Sequence, residues 1–137
     1  MMNIEIKKVE VAEILEIRHQ VLWPDQPLEF VKVAEDESGV HFGLFYEANL
    51  VSIISLFADE DRLRFRKFAT LHAWQNKGLG SQLLRFVIND ARDKGYKELW
   101  CDARSTASNF YKKHGFEKFG EPFFKKDIEY YKMSMSL

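Results

Sequence analysis

The chain has 137 residues and a formal net charge of −1, with 20 Lys and Arg against 21 Asp and Glu. This length predicts one domain over 1–137 with its own hydrophobic core, and the balanced charge argues against nucleic-acid binding. The single cysteine, Cys101, excludes an internal disulfide, and no apolar run approaches the roughly 20 residues that span a bilayer. We therefore expect a cytoplasmic protein with no nucleic-acid or membrane partner.

The elements of the first half follow from the spacing of apolar residues. Apolar side chains alternate with polar ones in several segments, which is the period of a strand, and recur every three or four residues in another, which is the period of a helix. In chain order, these patterns predict a strand at 3–9, a helix at 11–22, strands at 41–47 and 50–58 joined by a turn at Ala48-Asn49, and a strand at 63–71. Pro24 and Pro27 end the helix, and 23–38 is predicted to be irregular or partly helical.

The second half predicts two helices and three strands. In chain order these are a long helix from about Leu79 to Gly95, a strand at 97–102, a short helix capped by Ser105 and ended by Gly115, and strands at 116–119 and 128–135. The order strand, helix, strand around the long helix implies a right-handed crossover and a parallel pair of strands. Together the elements predict an α/β (α+β) fold, in which a mixed sheet carries helices on both faces.

Between the strand at 63–71 and the long helix lies the run Gln75–Ser81, which contains Gly78 and Gly80. Glycine lets the backbone turn tightly and approach a ligand, and the start of a helix presents N–H groups at the positive end of the helix dipole. The run therefore predicts a phosphate or diphosphate site. An ordinary strand-to-helix turn, in which the glycines only relieve strain, is the alternative.

Spacing excludes two other glycine loops at this position. In a P-loop the lysine follows its glycine, whereas Lys77 precedes Gly78 and Leu79 follows it. In a dinucleotide-binding loop a third glycine or alanine stands where this chain has Leu83, and the loop opens the first βα unit of its domain. What remains is the pattern Gln-x-x-Gly-x-Gly.

This pattern at a strand-to-helix junction resembles motif A of the GCN5-related N-acetyltransferase (GNAT) superfamily, and 63–70 resembles the strand that leads into it. The segment 107–116 resembles motif B of the same superfamily, Ala-x-x-φ-Tyr-x-x-x-Gly-Phe, where φ is apolar. The similarity covers about residues 3–137. A looser resemblance to the ElaA-like branch rests on Ile17-Arg18 through Val21-Leu22, His41-Phe42, Gly120-Glu121 and Asp127-Ile128.

The resemblance implies a mostly antiparallel, twisted sheet of six to seven strands, with a parallel central pair that splays apart for acyl-CoA. It implies an enzyme that needs no metal and transfers an acetyl group from acetyl-CoA to a primary amine of a small molecule or peptide, in a ternary complex. The residues that it implies for acetyl-CoA binding are Thr70, Leu71, Gln75, Asn76, Lys77, Gly78, Leu79, Gly80, Ser81 and Asn109. A non-catalytic acyl-CoA-binding sensor or interaction module on the same fold stays open, as do a monomer and a homodimer.

Acyl transfer to an amine needs a donor for the developing oxyanion, a proton for the departing sulfur and a neutral amine. The resemblance supplies a backbone N–H near Thr70 or Leu71 for the oxyanion. Tyr111 is the candidate acid, because a phenol with a pKa near about 10 is protonated at neutral pH; a packing role is its alternative. The candidate bases that remove a proton from the amine are His72, His41, Glu35, Asp36 and Glu121, and for each of these residue types a surface or structural role is the more common one.

Overall fold

The computed structural model describes residues 3–137, which form one seven-stranded sheet in the order β1-β2-β3-β4-β5-β7-β6. The strands are β1 (Ile4–Lys8), β2 (Val40–Tyr46), β3 (Asn49–Asp59), β4 (Arg62–Thr70), β5 (Glu98–Arg104), β6 (Glu117–Lys125) and β7 (Ile128–Ser136). The α-helices are α1 (Val11–Leu22), α2 (Leu79–Asp93) and α3 (Ser108–Lys113).

The sheet is mixed. The pairs β1–β2, β2–β3, β5–β7 and β6–β7 are antiparallel, and β4–β5 is parallel. The parallel register covers three residue pairs, from Arg62 with Glu98 to Arg64 with Trp100, although β4 continues to Thr70 and β5 to Arg104. The mostly antiparallel sheet of seven strands, with one parallel pair, confirms the predicted fold class.

The contacts of the chain define two compact units, each built from two segments. The first unit is the described part of Met1–Phe57 together with Arg66–Val87, and the second unit is Ala58–Phe65 together with Ile88–Leu137. The strand β4 and the helix α2 therefore contribute residues to both units. A single domain over 1–137 stays a prediction.

The core of the first unit joins α1 to the sheet. Ile14 and Ile17 of α1 pack in one cluster with Ile53 of β3 and Ala69 of β4. Burial of such side chains stabilises a protein by roughly 1.5–3 kcal/mol each. The carboxylate of Glu13 accepts a hydrogen bond of 2.7 Å from the Glu10 N–H at the start of α1, which satisfies one backbone donor there.

The core of the second unit is aromatic and aliphatic. Leu99, Cys101 and Ala103 are buried along β5, while the residues between them are half-buried, as expected for a strand with one covered face. The ring of Phe65 contacts that of Phe116 at a centroid distance of 5.8 Å. The strand predicted at 97–102 is thus β5 (Glu98–Arg104), and its covered face forms part of this core.

The end of β6 differs from prediction. The strand predicted at 116–119 continues as β6 to Lys125. Its register with β7 shifts between Phe119 and Phe123, and Gly120 has a φ of 73°. A bulge of this kind accommodates Gly120 and Pro122 within the strand.

The turns that precede β3 and α3 also differ from prediction. The hairpin turn before β3 consists of Glu47 and Ala48, with φ values of 48° and 69°, and not of Ala48-Asn49. The predicted cap Ser105 begins a 3₁₀ turn, and α3 follows it from Ser108. The Ser108 hydroxyl donates to the Ser105 carbonyl at 2.9 Å, so Ser105 contributes its carbonyl and not a side-chain cap.

Within residues 3–137, no helix combines the length and the apolar composition needed to cross a membrane. The same residues contain no group of three His, Cys, Asp or Glu side chains arranged to hold a metal ion. Cys101 is a buried free thiol, and its burial raises its pKa well above the usual range, with a smaller contribution from Asp102.

Candidate active site

The end of β4 is held in place by hydrogen bonds on both sides. The Leu71 N–H donates to the Val51 carbonyl at 2.9 Å, and the hydroxyls of Thr70 and Ser52 lie 2.8 Å apart. The Gln75 side chain donates from Nε2 to the Thr70 carbonyl at 2.9 Å. Three of the predicted acyl-CoA residues, Thr70, Leu71 and Gln75, are therefore brought together in the first unit.

The glycine loop, Gln75–Ser81, begins with backbone in the left-handed region. Asn76 has a φ of 62° and Gly78 a φ of 79°, conformations that favour glycine and tolerate asparagine. A Cβ atom at Gly78 would meet no heavy atom within 4 Å, so the backbone conformation, and not crowding by the protein, requires glycine there. Asn76, Lys77 and Gly78 are exposed.

The loop leads directly into the N-terminus of α2. The Gln82 N–H donates to the Gly78 carbonyl at 3.1 Å, and the helix begins at Leu79. The N–H groups of the first turn, from Leu79 to Ser81, therefore belong to the end of the helix that carries partial positive charge. This is the arrangement that binds phosphate groups in other proteins.

Gly80 allows the start of α2 to approach the end of β4. A Cβ atom at Gly80 would lie 3.3 Å from Thr70 Oγ1 and 3.6 Å from Phe68 Cζ. A contact of 3.3 Å is tighter than most that a Cβ atom makes. The two glycines thus have different purposes, since Gly78 provides a left-handed turn and Gly80 a close approach.

Of the two backbone donors predicted for the oxyanion, Leu71 is already used. Its N–H bonds the Val51 carbonyl of β3. The N–H groups of successive residues in a strand point to opposite edges, so the Thr70 N–H points to the edge of β4 away from β3. The Ala69 carbonyl accepts a bond of 3.2 Å from Ser52, which agrees with this alternation.

Lys67 is a feature of β4 that the sequence did not indicate. Its φ of 55° places a non-glycine residue in the left-handed region inside a strand. Residues of this kind bend a strand and redirect the groups that follow, and they are frequent at functional sites. Lysine has no preference for this conformation, so composition offers no signal for it.

Tyr111 and Asn109 lie on α3, in the second unit. The Tyr111 side chain is buried, with 8% of the residue exposed, and its ring contacts Phe65 and Phe116 at centroid distances of 5.7 Å each. Burial, and next the neighbouring Cys101, raises the pKa of Tyr111 well above its usual 10.0. The phenol is therefore fully protonated at neutral pH. Asn109 is exposed.

Two of the candidate bases belong to a buried polar network, formed by Arg18, Asp36, His41 and Ser55 in the first unit. Arg18 is fully buried and donates to both carboxylate oxygens of Asp36, at 2.9 and 2.8 Å, and to the Ser55 hydroxyl at 2.9 Å. His41 contacts Ser55 Oγ through Nδ1 at 2.7 Å and the Asp36 carbonyl through Nε2 at 2.9 Å. Both imidazole nitrogens of His41 are thus engaged.

The carboxylate of Asp36 is stabilised in its ionised form. Burial by itself raises the pKa of Asp36, but hydrogen bonds from Arg18 and the Val33 N–H, together with the charges of Arg18 and His41, lower it below the usual 3.8. A carboxylate of low pKa is a weak base and is enclosed here by its partners. The network therefore argues for a structural role of Asp36 and His41.

The other three candidate bases are exposed. Glu35 precedes a 3₁₀ turn in the first unit, and Glu121 lies in the irregular part of β6 in the second unit. His72 follows the end of β4, and its Nδ1 lies 3.4 Å from Gln75 Nε2, the same nitrogen that bonds the Thr70 carbonyl. Of the five candidates, His72 is the one that shares a hydrogen-bond partner with Thr70 in the described structure.

The comparison with known proteins agrees with the two motifs. A family model described as an acetyltransferase (GNAT) domain matches residues 13–137. The Bacillus subtilis protein named as the uncharacterized N-acetyltransferase YitI is 34% identical over 129 residues, which are 88% of this chain and 87% of that relative.

Solved structures match across the whole length. A GNAT family acetyltransferase from Elizabethkingia anophelis, with acetyl-CoA bound, has a TM-score of 0.79 at 21% identity and covers 98% of this chain and 99% of its own. Escherichia coli ElaA has a TM-score of 0.81 at 16% identity, with the same coverage of 98% and 99%. These TM-scores show that the folds are shared. With the family model and the Bacillus relative, they lead to one conclusion: the chain belongs to the GNAT acetyltransferase family.

Proposed function

We propose that this protein transfers the acetyl group of acetyl-CoA to a primary amine by direct attack in a ternary complex. The observation that carries the proposal is the glycine loop at the N-terminus of α2. Gly78 has a φ of 79° with open space where a side chain would lie, and the 15-residue α2 begins at the next residue. Main-chain N–H groups at such a helix start suit the diphosphate of a coenzyme A molecule.

Both main-chain and side-chain groups of the loop bind acetyl-CoA. The N–H groups from Asn76 to Ser81 hold the two phosphates, and the exposed Lys77 adds a positive charge beside them. The pantetheine arm follows the end of β4 at Thr70 and Leu71. Asn109, exposed on α3, contributes a polar contact. The open surroundings of Gly78 support this assignment, because no protein atom occupies that space.

The reacting groups follow from what each side chain can donate. Acetyl-CoA supplies an acetyl group that is activated by its thioester. The Thr70 N–H donates to the thioester oxygen as negative charge develops there, which lowers the barrier to attack. Tyr111 supplies a proton to the departing sulfur. The phenol carries that proton at neutral pH, and because its raised pKa makes it a weak acid, the transfer accompanies C–S cleavage. The acceptor is a small molecule or peptide that carries a primary amine.

One observation favours a second function, that of a non-catalytic acyl-CoA-binding module. Tyr111 is 8% exposed and packs among Phe65, Phe110 and Phe116, as a tyrosine with a purely structural role does. A module of this kind binds acetyl-CoA and is stabilised by it through mass action, but it consumes none.

A thiol-release assay combined with calorimetry separates the two functions. The purified chain is mixed with acetyl-CoA and a panel of polyamines, amino acids, aminoglycosides and peptides with free N-termini or lysines. Binding of acetyl-CoA with release of free thiol that requires an amine supports the enzyme. Binding without thiol release across the panel favours the module, and no binding at millimolar acetyl-CoA overturns both.

A further inference from the structure

The turn between β4 and the glycine loop fixes the orientation of the Gln75 amide. Its Nε2 lies 2.9 Å from the Thr70 carbonyl oxygen. A carbonyl oxygen can only accept a hydrogen bond, so the atom that faces it must be the amide NH₂ and not the amide oxygen. The side chain of Gln75 is therefore oriented by the main chain of the residue at the end of β4.

This orientation fixes the tautomer of His72. The same NH₂ group has a second hydrogen, and His72 Nδ1 lies 3.4 Å from it. An amide NH₂ can only donate, so Nδ1 must accept, and the ring proton of neutral His72 is on Nε2. The basic lone pair is thus on Nδ1, directed to the side of the turn where Gln75 meets the Thr70 carbonyl. At 3.4 Å the contact is long and weak, so a water or an amine can replace it.

The surroundings of His72 leave the imidazole accessible to an acceptor. The residue is exposed, and within residues 3–137 no carboxylate or cationic side chain forms an ion pair or hydrogen bond with it. The next titratable residue along the chain after His72 is Lys77 in the glycine loop, and Tyr46 of β2 contacts the neighbouring Trp74 with ring centroids 4.8 Å apart. Neither one bonds the imidazole in the described structure.

We infer that His72 is the general base for the acceptor amine, acting through Nδ1. Gln75 is the positioning residue that keeps Nδ1 unprotonated until the amine, or a water, displaces the Gln75 amide from it. The inference rests on the proposed function. The acceptor ammonium gives one proton to Nδ1, directly or through a water, and His72 becomes an imidazolium. The freed lone pair of the amine forms the new C–N bond as the C–S bond breaks. The nitrogen then loses its second proton, which replaces the one that Tyr111 gives to the departing sulfur, and the imidazolium returns its own proton to solvent.

The first test is the pH profile of kcat/KM with an amine that the wild type acetylates. A general base must be unprotonated to act, so the wild-type rate is expected to fall on the acid side of its optimum, which is the acid limb of the profile. His72→Gln should lower kcat roughly 100-fold or more and remove that limb, with an unchanged Kd for acetyl-CoA. His19→Gln, a control on α1, should retain both the rate and the limb. A His72→Gln protein with wild-type kcat and an intact acid limb overturns the inference.

The second test determines the tautomer of His72 directly and does not require a catalysed reaction. Nitrogen-15 chemical shifts of the imidazole at neutral pH should show His72 with its proton on Nε2, and Gln75→Ala should convert this into a mixture of both tautomers. Gln75→Ala should also lower kcat by less than His72→Gln does, while the acid limb remains. A wild-type His72 protonated on Nδ1 overturns the positioning role of Gln75. If no amine is acetylated by the wild type, the proposed function fails and the base role with it, whereas acetylation that is indifferent to His72 defeats the base role alone.

Discussion

The glycine loop and the buried polar network both concentrate polar groups in the first unit, and they are built in opposite ways. In the network, Arg18, Asp36, His41 and Ser55 bond one another at 2.7–2.9 Å, and none of the four is more than 7% exposed. In the glycine loop, the exposed residues 76–78 and the first turn of α2 present polar groups at the surface. Polar groups that satisfy one another hold a fold, and polar groups that face outward can bind a ligand.

The two histidines His41 and His72 show why the distinction matters. His41 lies within β2 and His72 two residues after the end of β4, and residue type alone made both of them candidates for the base. His41 is 5% exposed, with both nitrogens engaged, whereas His72 is exposed, with one long contact to Gln75. Access and hydrogen-bond partners, and not the chemistry of the imidazole, separate a structural histidine from a candidate base.

The largest effect is expected from breaking the network. Arg18→Ala leaves the Asp36 carboxylate buried without its partner, and a change of this kind costs about 3–5 kcal/mol of the free energy of unfolding. Urea unfolding measures the loss. Lys32→Ala is the control, because Lys32 pairs with Glu29 at 2.7 Å on the surface, where such a pair contributes at most about 1 kcal/mol. Similar losses in both variants would show that the network is not a special element of the fold.

The second largest effect is expected for Tyr111. This residue is buried like the polar network, but we propose that it contacts the ligand as the glycine loop does. Tyr111→Phe keeps the ring contacts and removes the hydroxyl, so kcat for amine acetylation should fall about 100-fold or more with an unchanged Kd for acetyl-CoA. Tyr130→Phe is a matched control, because Tyr130 is also 8% exposed and stacks on Phe123. Equal rates in the wild type and Tyr111→Phe would leave Tyr111 a packing residue.

Sequence periodicity and glycine spacing were sufficient for most of the fold and for the glycine loop. The alternation of apolar and polar residues at 3–9 predicted the first strand, which the structure has as β1 (Ile4–Lys8), and it reports a local rule that each strand obeys independently. The positions of Gly78 and Gly80 predicted the loop, because few residues other than glycine meet the backbone demands of such a turn.

The features that the sequence did not predict depend on contacts between residues that are far apart in the chain. Arg18 reaches Asp36 and Ser55, which lie 18 and 37 positions away, and no local pattern links them. The left-handed Lys67 inside β4 is set by the surrounding sheet and not by its own preference. The order of His72, Thr70 and Gln75 was visible in the sequence, but their shared hydrogen bonds depend on the turn that the chain adopts after β4.

A smaller effect is expected from replacing Gly78 by alanine. The turn at Gly95 has a similar left-handed backbone and is the control. Gly78 and Gly95 precede and follow α2 with φ values of 79° and 88°, and neither has a heavy atom within 4 Å of a Cβ position. Alanine at either site should cost a similar amount of folding free energy, about 1–2 kcal/mol. Gly78→Ala alone should also weaken acetyl-CoA binding, by about tenfold or about 1.4 kcal/mol in calorimetry. Equal affinities in the two variants would argue against phosphate binding by the loop.

The smallest effect is the pH dependence that the network confers on stability. The pKa of Asp36 is lowered below 3.8 in the folded protein, so the unfolded chain binds its proton first as the pH falls. The stabilisation is therefore complete above about pH 4–5 and is lost as the pH falls through 3.8 toward the lower folded value. One carboxyl group contributes at most about 1.4 kcal/mol per pH unit. Urea unfolding between pH 6 and 3 should show a shallower slope in Asp36→Asn than in the wild type. Glu29→Gln, which removes an exposed carboxylate, should keep the wild-type slope, and an equal flattening in both variants would assign the acid sensitivity to the surface and not to the network.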